Sequence, residues 1–172
     1  MTAIGVAILS FVTLQRLFEL WLSSRNTRRL LARGAVELAP GHYPLIVALH
    51  ALWLAILWWL APGKPVNFLA LGAFVLLQLG RVWVLATLGQ RWTTRIIVLP
   101  GEPLVRTGPY RLVGHPNYLI VAGEIAFLPL AFGLWIFALL FSVLNAAVLA
   151  IRIRAENEAL AVVKWGEGSG LS

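Results

Sequence analysis

The sequence predicts an all-α integral membrane protein with five transmembrane helices, the last two a helical hairpin, and a cytoplasmic cap. Three observations predict the membrane fold. The 172-residue chain is 60% hydrophobic and only 12% charged, where soluble domains average about 45–50% apolar and about 25% charged. Its mean hydropathy is +0.84. Its apolar residues gather into runs of the length that a bilayer demands, about 20 residues for about 30 Å of hydrocarbon. These figures rule out a water-soluble globule, a disordered tail and a nucleic-acid-binding arm. The net charge of +7 and the pI near 11.1 come mostly from short segments between apolar runs. That distribution points to topology and lipid headgroup contact, with no nucleic-acid partner.

The elements follow in order. Ala3–Leu22 is the first span, although it carries Arg16 and Glu19. It has no basic leader and no small-residue cleavage site, so it reads as a retained helix. Ser23–Tyr43 is polar and broken by Gly34, Pro40 and Gly41; it reads as an extension of the first helix that ends as a loop. Pro44–Leu60 is a second, shorter span dense in Leu and Trp. Val66–Leu88 is the third, interrupted by Gln78 and Arg81. Gly89–Pro116 is rich in Gly and Pro and is a loop, within which Thr94–Leu99 reads as a short extended run. Asn117–Ile151 is apolar except for Glu124 and polar Asn145, with Pro129 and Gly133 near its middle. The tail Gly166–Ser172 is flexible in composition. Residues 1–172 read as a single domain.

Charge decides whether Asn117–Ile151 crosses once or twice. Arg25, Arg28, Arg29 and Arg33 follow the first span, which places that loop inside and the N-terminus outside. The loop after the second span holds only Lys64 and belongs outside, and Arg91, Arg95, Arg106 and Arg111 return the next loop to the inside. Arg152, Arg154 and Lys164 lie inside only if the stretch doubles back. A hairpin turning near Leu130–Leu134 is therefore predicted. The stretch is about 52 Å long as a helix, slightly short for two full spans.

Ionisable groups at membrane depth cost about 2.5–3.5 kcal/mol each on insertion scales and line cavities or find partners. Arg16 and Glu19 share a helical face and read as a mutual ion pair. Arg81 has no acid one turn away; it either snorkels to the interface or faces inward as an anion-binding group. Glu124 needs a partner, and Arg81 is a candidate. The segment Gly108-Pro109-Tyr110-Arg111-Leu112-Val113-Gly114-His115-Pro116-Asn117-Tyr118 is the most unusual in the chain. His115 precedes Pro116 and is pushed toward extended geometry, while Pro116 starts a helix. The result is either a helix cap with an interfacial Tyr belt or a site for an anionic or polar ligand at free amides. Downstream, Arg152 with Glu156 and Arg154 with Glu158 stand one turn apart. They form solvated pairs, or Arg152 and Glu156 face the same cavity as His115.

The chain has no Cys, which excludes disulfides and thiolate catalysis. His42, His50 and His115 have no ligand spacing, so no metal site is expected. No Walker loop, Rossmann glycine motif or Gly-x-Ser-x-Gly element is present.

Leu88-Gly89, Gly108-Pro109-Tyr110-Arg111, His115-Pro116-Asn117-Tyr118, an apolar hairpin, and Arg152-Ile153 with Glu156 and Leu160 together resemble the isoprenylcysteine carboxyl methyltransferase family. The resemblance covers about residues 75–165, which would be the cofactor-binding and catalytic core. Gly34-Ala35-Val36-Glu37 and His42-Tyr43-Pro44 look like the bacterial branch, associated with methylation of long-chain polyketides such as alkylpyrones or alkylresorcinols. Two positions depart from the family pattern. Gly114 stands where Arg commonly precedes the His, and Glu156-Asn157-Glu158 replaces adjacent acids.

The resemblance implies an S-adenosylmethionine-dependent methyltransferase of the bacterial inner membrane that acts on a carboxylate or acidic oxygen of a lipophilic or prenylated acceptor. It implies that Leu104, Val105, Gly108, Tyr110, His115, Pro116, Tyr118 and Glu156 form the cofactor site. Arg81 and Arg152 would hold the acceptor anion. Glu124 would matter most for an amine acceptor, as in a phospholipid N-methyltransferase. The remaining alternative is a non-enzymatic membrane lipid-binding or assembly protein.

Overall fold

The computed structural model of the protein describes residues 3–103 and 105–168. Helix α1 spans Ala3–Ala32, α2 Tyr43–Leu60, α3 Phe68–Leu88, α4 Pro116–Ala131 and α5 Trp135–Gly168. Two residues, Val36–Glu37 (β1), pair antiparallel with Ile97–Val98 (β2). Four helices, α1, α2, α3 and α5, are long and apolar enough to cross a membrane. The fifth, α4, is apolar but has 16 residues, about 24 Å of helix.

The first helix runs straight through the polar segment that follows its apolar part, as expected. The extended run within residues 94–99 is present as β2, and its partner β1 is an addition. The long apolar stretch does double back. It turns through Phe132–Leu134, where Gly133 takes φ 70°, a left-handed value that favours glycine. The amides of Phe132 and Leu134 both bond the Pro129 carbonyl at 3.0 Å, which closes the end of α4.

Asn67 starts α3 by accepting from the Leu69 and Ala70 amides at 3.0 and 3.2 Å. Its own amide donates to the Ala131 carbonyl at 2.7 Å, tying the start of α3 to the end of α4. Along the α3–α4 seam, a Cβ on Gly123 would lie 2.6 Å from a Leu77 methyl, which would have to move, and one on Gly80 would sit tightly at 3.3 Å from Ile120. Small residues at such contacts let membrane helices approach closely.

Burial is inverted relative to a soluble protein. Leu69 is 86% exposed and Trp59 81%, while Glu124 is 1% and Arg81 2% exposed. The apolar core joins Leu9 and Val12 of α1, Trp53 and Leu57 of α2, Phe74 of α3, Ile125 and Leu128 of α4, and Phe141 of α5. Beside it lies a balanced cluster of two cations and two anions. Arg16 bonds Glu19 at 2.9 Å and Glu124 at 2.5 Å. Arg81 donates to Glu124 through Nε at 2.8 Å and again through Nη2, and it reaches Glu19 at 3.3 Å. Gln15 and Gln78 exchange two hydrogen bonds above the cluster, and Gln15 also donates to Glu19 at 3.0 Å.

The expected Arg16–Glu19 pair is thus half of a larger network. Arg81 does not snorkel; it turns inward to Glu124 and joins α3 to α4. Removing one member of such a cluster leaves an uncompensated charge in a dry interior. Glu124→Leu is therefore expected to destabilise the fold by about 3–5 kcal/mol, read as a large drop in the thermal unfolding midpoint in detergent. A midpoint unchanged from wild type would contradict the pairing.

Candidate functional site

The polar ends of α1, α3, α4 and α5 meet at one end of the bundle, over the loop 89–115. Asn26 of α1 donates to the carbonyls of Gly89 and Trp92 at 3.2 and 2.8 Å. Ser23 bonds both the amide and the hydroxyl of Thr94, at 2.8 and 2.7 Å. The Thr94 hydroxyl also reaches the Tyr43 hydroxyl at 3.2 Å. These contacts fix residues 92–94 as a rigid strip with Trp92 buried beneath it.

A cavity of about 400 Å³ lies under this loop, lined by Trp92, Val105, Tyr110, His115, Asn117, Tyr118, Arg152 and Glu156, with Arg91 and Arg95 at its side. A second cavity of about 240 Å³ lies deeper, mostly apolar, between α1, α2 and α5. It is lined by Leu17, Leu20, Ile46, Val47, Leu54, Val121 and Leu149, with Arg16, Glu19, Arg81, His50 and Asn145 among them. Its Leu17 and Leu20 belong to the exposed apolar surface of α1. Trp92, Asn117, Tyr118 and Arg152 line both cavities and form the wall they share.

The α4–α5 hairpin sets that wall. The Tyr118 hydroxyl donates to Glu156 and accepts from Arg152 Nε at 2.8 Å. His115 stacks on Tyr118 with ring centroids 5.1 Å apart, and its Nδ1 lies 3.9 Å from Glu156. The Arg152 guanidinium sits over the Tyr118 ring, 5.4 Å from its centroid. Arg152 is buried, and among the described residues it has no carboxylate within ion-pair distance. The other cations near the cavities are partnered: Arg95 with Glu37 at 2.8 Å, Arg91 with Glu102 at 3.4 Å, and Arg16 and Arg81 within the charged cluster. Burial pushes the Tyr110 phenol up to about 12, with the Glu156 charge adding to the shift. It remains a neutral donor at the cavity wall across ordinary pH.

The structure brings Val105, Tyr110, His115, Tyr118, Arg152 and Glu156 to one cavity. It does not bring Gly108 or Pro116 there. Gly108, at φ 56°, backs onto Thr87, whose Oγ1 would lie 2.5 Å from a Cβ. Pro116 is buried as the first residue of α4. Arg81 lines the deeper cavity, and Glu124 lines neither. Leu104 lies outside the described residues. Sequence reasoning missed Trp92, Asn26, Ser23 and Thr94. No hydrophobic period marks them, and the polar face that continues α1 past Leu22 is a signal for Ser23 and Asn26 alone.

The polar cavity suits a small polar ligand. Its volume falls in the ordinary range for small-molecule sites, about 300–1,000 Å³. Aromatic faces, a carboxylate and cations surround it. The Asn117 Oδ1 atom is buried and without a hydrogen-bond partner, an acceptor that a ligand N–H would satisfy.

The model of the isoprenylcysteine carboxyl methyltransferase (ICMT) family matches residues 69–162. The chain is 36% identical over 160 residues to an uncharacterized protein, YpbQ, of Bacillus subtilis (strain 168), covering 89% of this chain and 94% of the relative. It is 26% identical over 158 residues to an uncharacterized protein of Haemophilus influenzae, covering 84% of this chain and 88% of that one. No solved structure matches it.

The Tyr110 shift sets a pH expectation. A phenol whose folded pKa is raised contributes stability that is full below pH 10 and is lost as pH rises from there toward about 12. Ultraviolet titration in detergent is expected to show one tyrosine ionising near pH 12 that is absent from Tyr110→Phe. Ionisation of all three tyrosines at the ordinary value would contradict it.

Proposed function

The chain belongs to the isoprenylcysteine carboxyl methyltransferase family, and from that premise we propose that it uses S-adenosylmethionine to methylate a carboxylate or other acidic oxygen of a long-chain lipid. The polar cavity holds the cofactor and the apolar cavity the acceptor. Positive charge within residues 25–33, 89–115 and 152–154 supports a polar cavity on the inner side of a bacterial inner membrane. With α4 as a short span, the protein crosses five times and the loop 89–115 caps the cofactor site.

The observation that carries this reading is the shared wall. A water-soluble cofactor and a lipid dissolve in different phases, so an enzyme joining them needs two cavities that meet at one point. They meet here at Tyr118 and Arg152. When bound, S-adenosylmethionine supplies an electrophilic methyl group on a sulfonium. Glu156, Tyr110, His115 and Asn117 hold its polar groups. Arg152, buried and free of any carboxylate among the described residues, holds the acceptor oxyanion at the wall. Tyr118 positions Arg152 by accepting its Nε–H, and the same hydroxyl holds Glu156. Trp92 and the strip 92–94 keep water from the junction. The protein's contribution is alignment of two reactants more than activation, because tight pairing would lower the oxyanion's nucleophilicity.

An amine acceptor fits less well. It would need a carboxylate at the junction, and Glu124 is bound to two arginines below it. A non-enzymatic lipid-binding role predicts no saturable binding of S-adenosylmethionine, which a thermal-shift titration in detergent would reveal.

Calorimetry on detergent-purified protein is expected to show that Glu156→Ala and His115→Ala each abolish S-adenosylmethionine binding while the fold persists. Wild-type affinity in both would refute these roles. Arg152→Ala is expected to retain cofactor affinity within about threefold while losing transfer by about 100-fold. The assay incubates membranes with labelled S-adenosylmethionine and follows label in the lipid extract by mass spectrometry. Unchanged transfer in Arg152→Ala would move the acceptor site elsewhere.

A further inference from the structure

The apolar cavity is not uniformly apolar. On α5, Asn145 lies two turns deeper than Arg152, on the same face. It is 2% exposed, it lines the cavity, and its Oδ1 is buried with no hydrogen-bond partner. On α2, His50 lines the same cavity, two turns deeper than Tyr43. The His50 Nδ1 lies 2.8 Å from the Ile46 carbonyl. A carbonyl only accepts, so Nδ1 carries the proton, and in the neutral ring Nε2 is a lone-pair acceptor. Among the described residues, Nε2 makes no hydrogen bond.

A buried acceptor without a partner, as Asn145 Oδ1 is, costs about 1–3 kcal/mol; His50 is half-buried at the cavity, and a lipid tail of plain methylenes would leave both acceptors unmet. The Gln15–Gln78 pair and the charged cluster bond one another, and among the described residues none of their atoms bonds Asn145 or His50, although Arg16 Nε is itself buried without a partner. Asn145 and His50 thus add two open acceptors to a mostly apolar slot whose charged members, Arg16, Glu19 and Arg81, bond within their own cluster.

We propose that Asn145 and His50 form a second polar subsite that binds a hydroxyl in the middle of the acceptor's chain. The proposal rests on the reading of this cavity as the acceptor site and narrows its ligand class to chain-hydroxylated lipids. A hydroxyl both donates and accepts, so it can give its proton to His50 Nε2 or Asn145 Oδ1 and take one from the Asn145 amide nitrogen. The level lies about 10 Å along α5 from Arg152, the span of about eight methylenes. An acid group held by Arg152 therefore places the matching hydroxyl near the tenth carbon of the chain.

The test compares three probes on the full-length protein in detergent by native mass spectrometry: octadecanoate, 10-hydroxyoctadecanoate and 2-hydroxyoctadecanoate. Wild type is expected to bind the 10-hydroxy acid about tenfold more tightly than octadecanoate, the worth of about one buried hydrogen bond. The 2-hydroxy acid, with its hydroxyl at the wrong level, is expected to gain nothing. In the double variant Asn145→Leu, His50→Phe, the ratio falls to within about twofold of unity, with folding verified by thermal unfolding. The wild-type comparison needs no variant and stands even if the double variant fails to fold. Equal binding of octadecanoate and its 10-hydroxy form, failure of wild type to bind any probe, equal gain from the 2-hydroxy form, or a preference that survives in the folded double variant would each overturn the subsite. Titration of wild type with S-adenosylmethionine in the same preparation separates the two claims: no affinity there defeats the methyltransferase reading, whatever the lipid ratios show.

Discussion

The hydroxyl of Tyr118 donates to one neighbour and accepts from another, and the two cavities depend on that arrangement. Glu156 takes its proton and Arg152 gives it one. Both partners come from the far arm of the hairpin, so the bond can form only because α4 and α5 return to the end of the bundle where α4 began. It fixes a carboxylate on the polar side and a guanidinium at the boundary. Without it, Arg152 would be free to turn toward Glu156 and neutralise itself. The phenol therefore keeps two opposite charges one turn apart from collapsing onto each other, which preserves a cation for a ligand.

The charged cluster of Arg16, Glu19, Arg81 and Glu124 does the complementary work below. It is balanced, and it joins α1, α3 and α4. Because every member is paired, it offers no net charge to an incoming anion. A bilayer makes such pairing obligatory, since an unpaired charge at that depth is costly. The contribution of α1 is notable here. It lies outside residues 69–162 that the family model matches, yet Arg16 and Glu19 complete the cluster, and Ser23 and Asn26 hold the strip that separates the cavities.

Much of this was legible in the sequence because the bilayer imposes simple rules. Hydropathy located α2 and α3 to within two residues at each end, while α1 and α5 run on past their apolar parts to Ala32 and Gly168; the requirement that Arg152 and Arg154 share a side with the other basic loops called for the hairpin. Arg81 is legible as a candidate partner for Glu124, since both are ionisable groups in apolar helices, but the spacing leaves snorkelling and anion binding open for it. Arg16 read as a local pair because sequence spacing reveals neighbours on one helix and not those on the next. The joining of β1 to β2 was illegible, because a two-residue ladder carries no periodicity. Asn26 and Trp92 were missed for a related reason: one side chain bonding two carbonyls across the bundle leaves no trace in spacing. Gly108 stood out in the motif, but its close approach to Thr87 gives it a packing role, and only coordinates could separate that from ligand contact.

The central claim is that the cofactor and the acceptor meet across the Tyr118–Arg152 wall. The most direct measurement is an experimental structure of the protein with S-adenosylhomocysteine bound. The account predicts ligand density in the polar cavity, in contact with His115, Asn117 and Glu156, with the sulfur toward the wall. Density anywhere else, or a structure that puts His115 and Glu156 at opposite ends of the bundle, would contradict it.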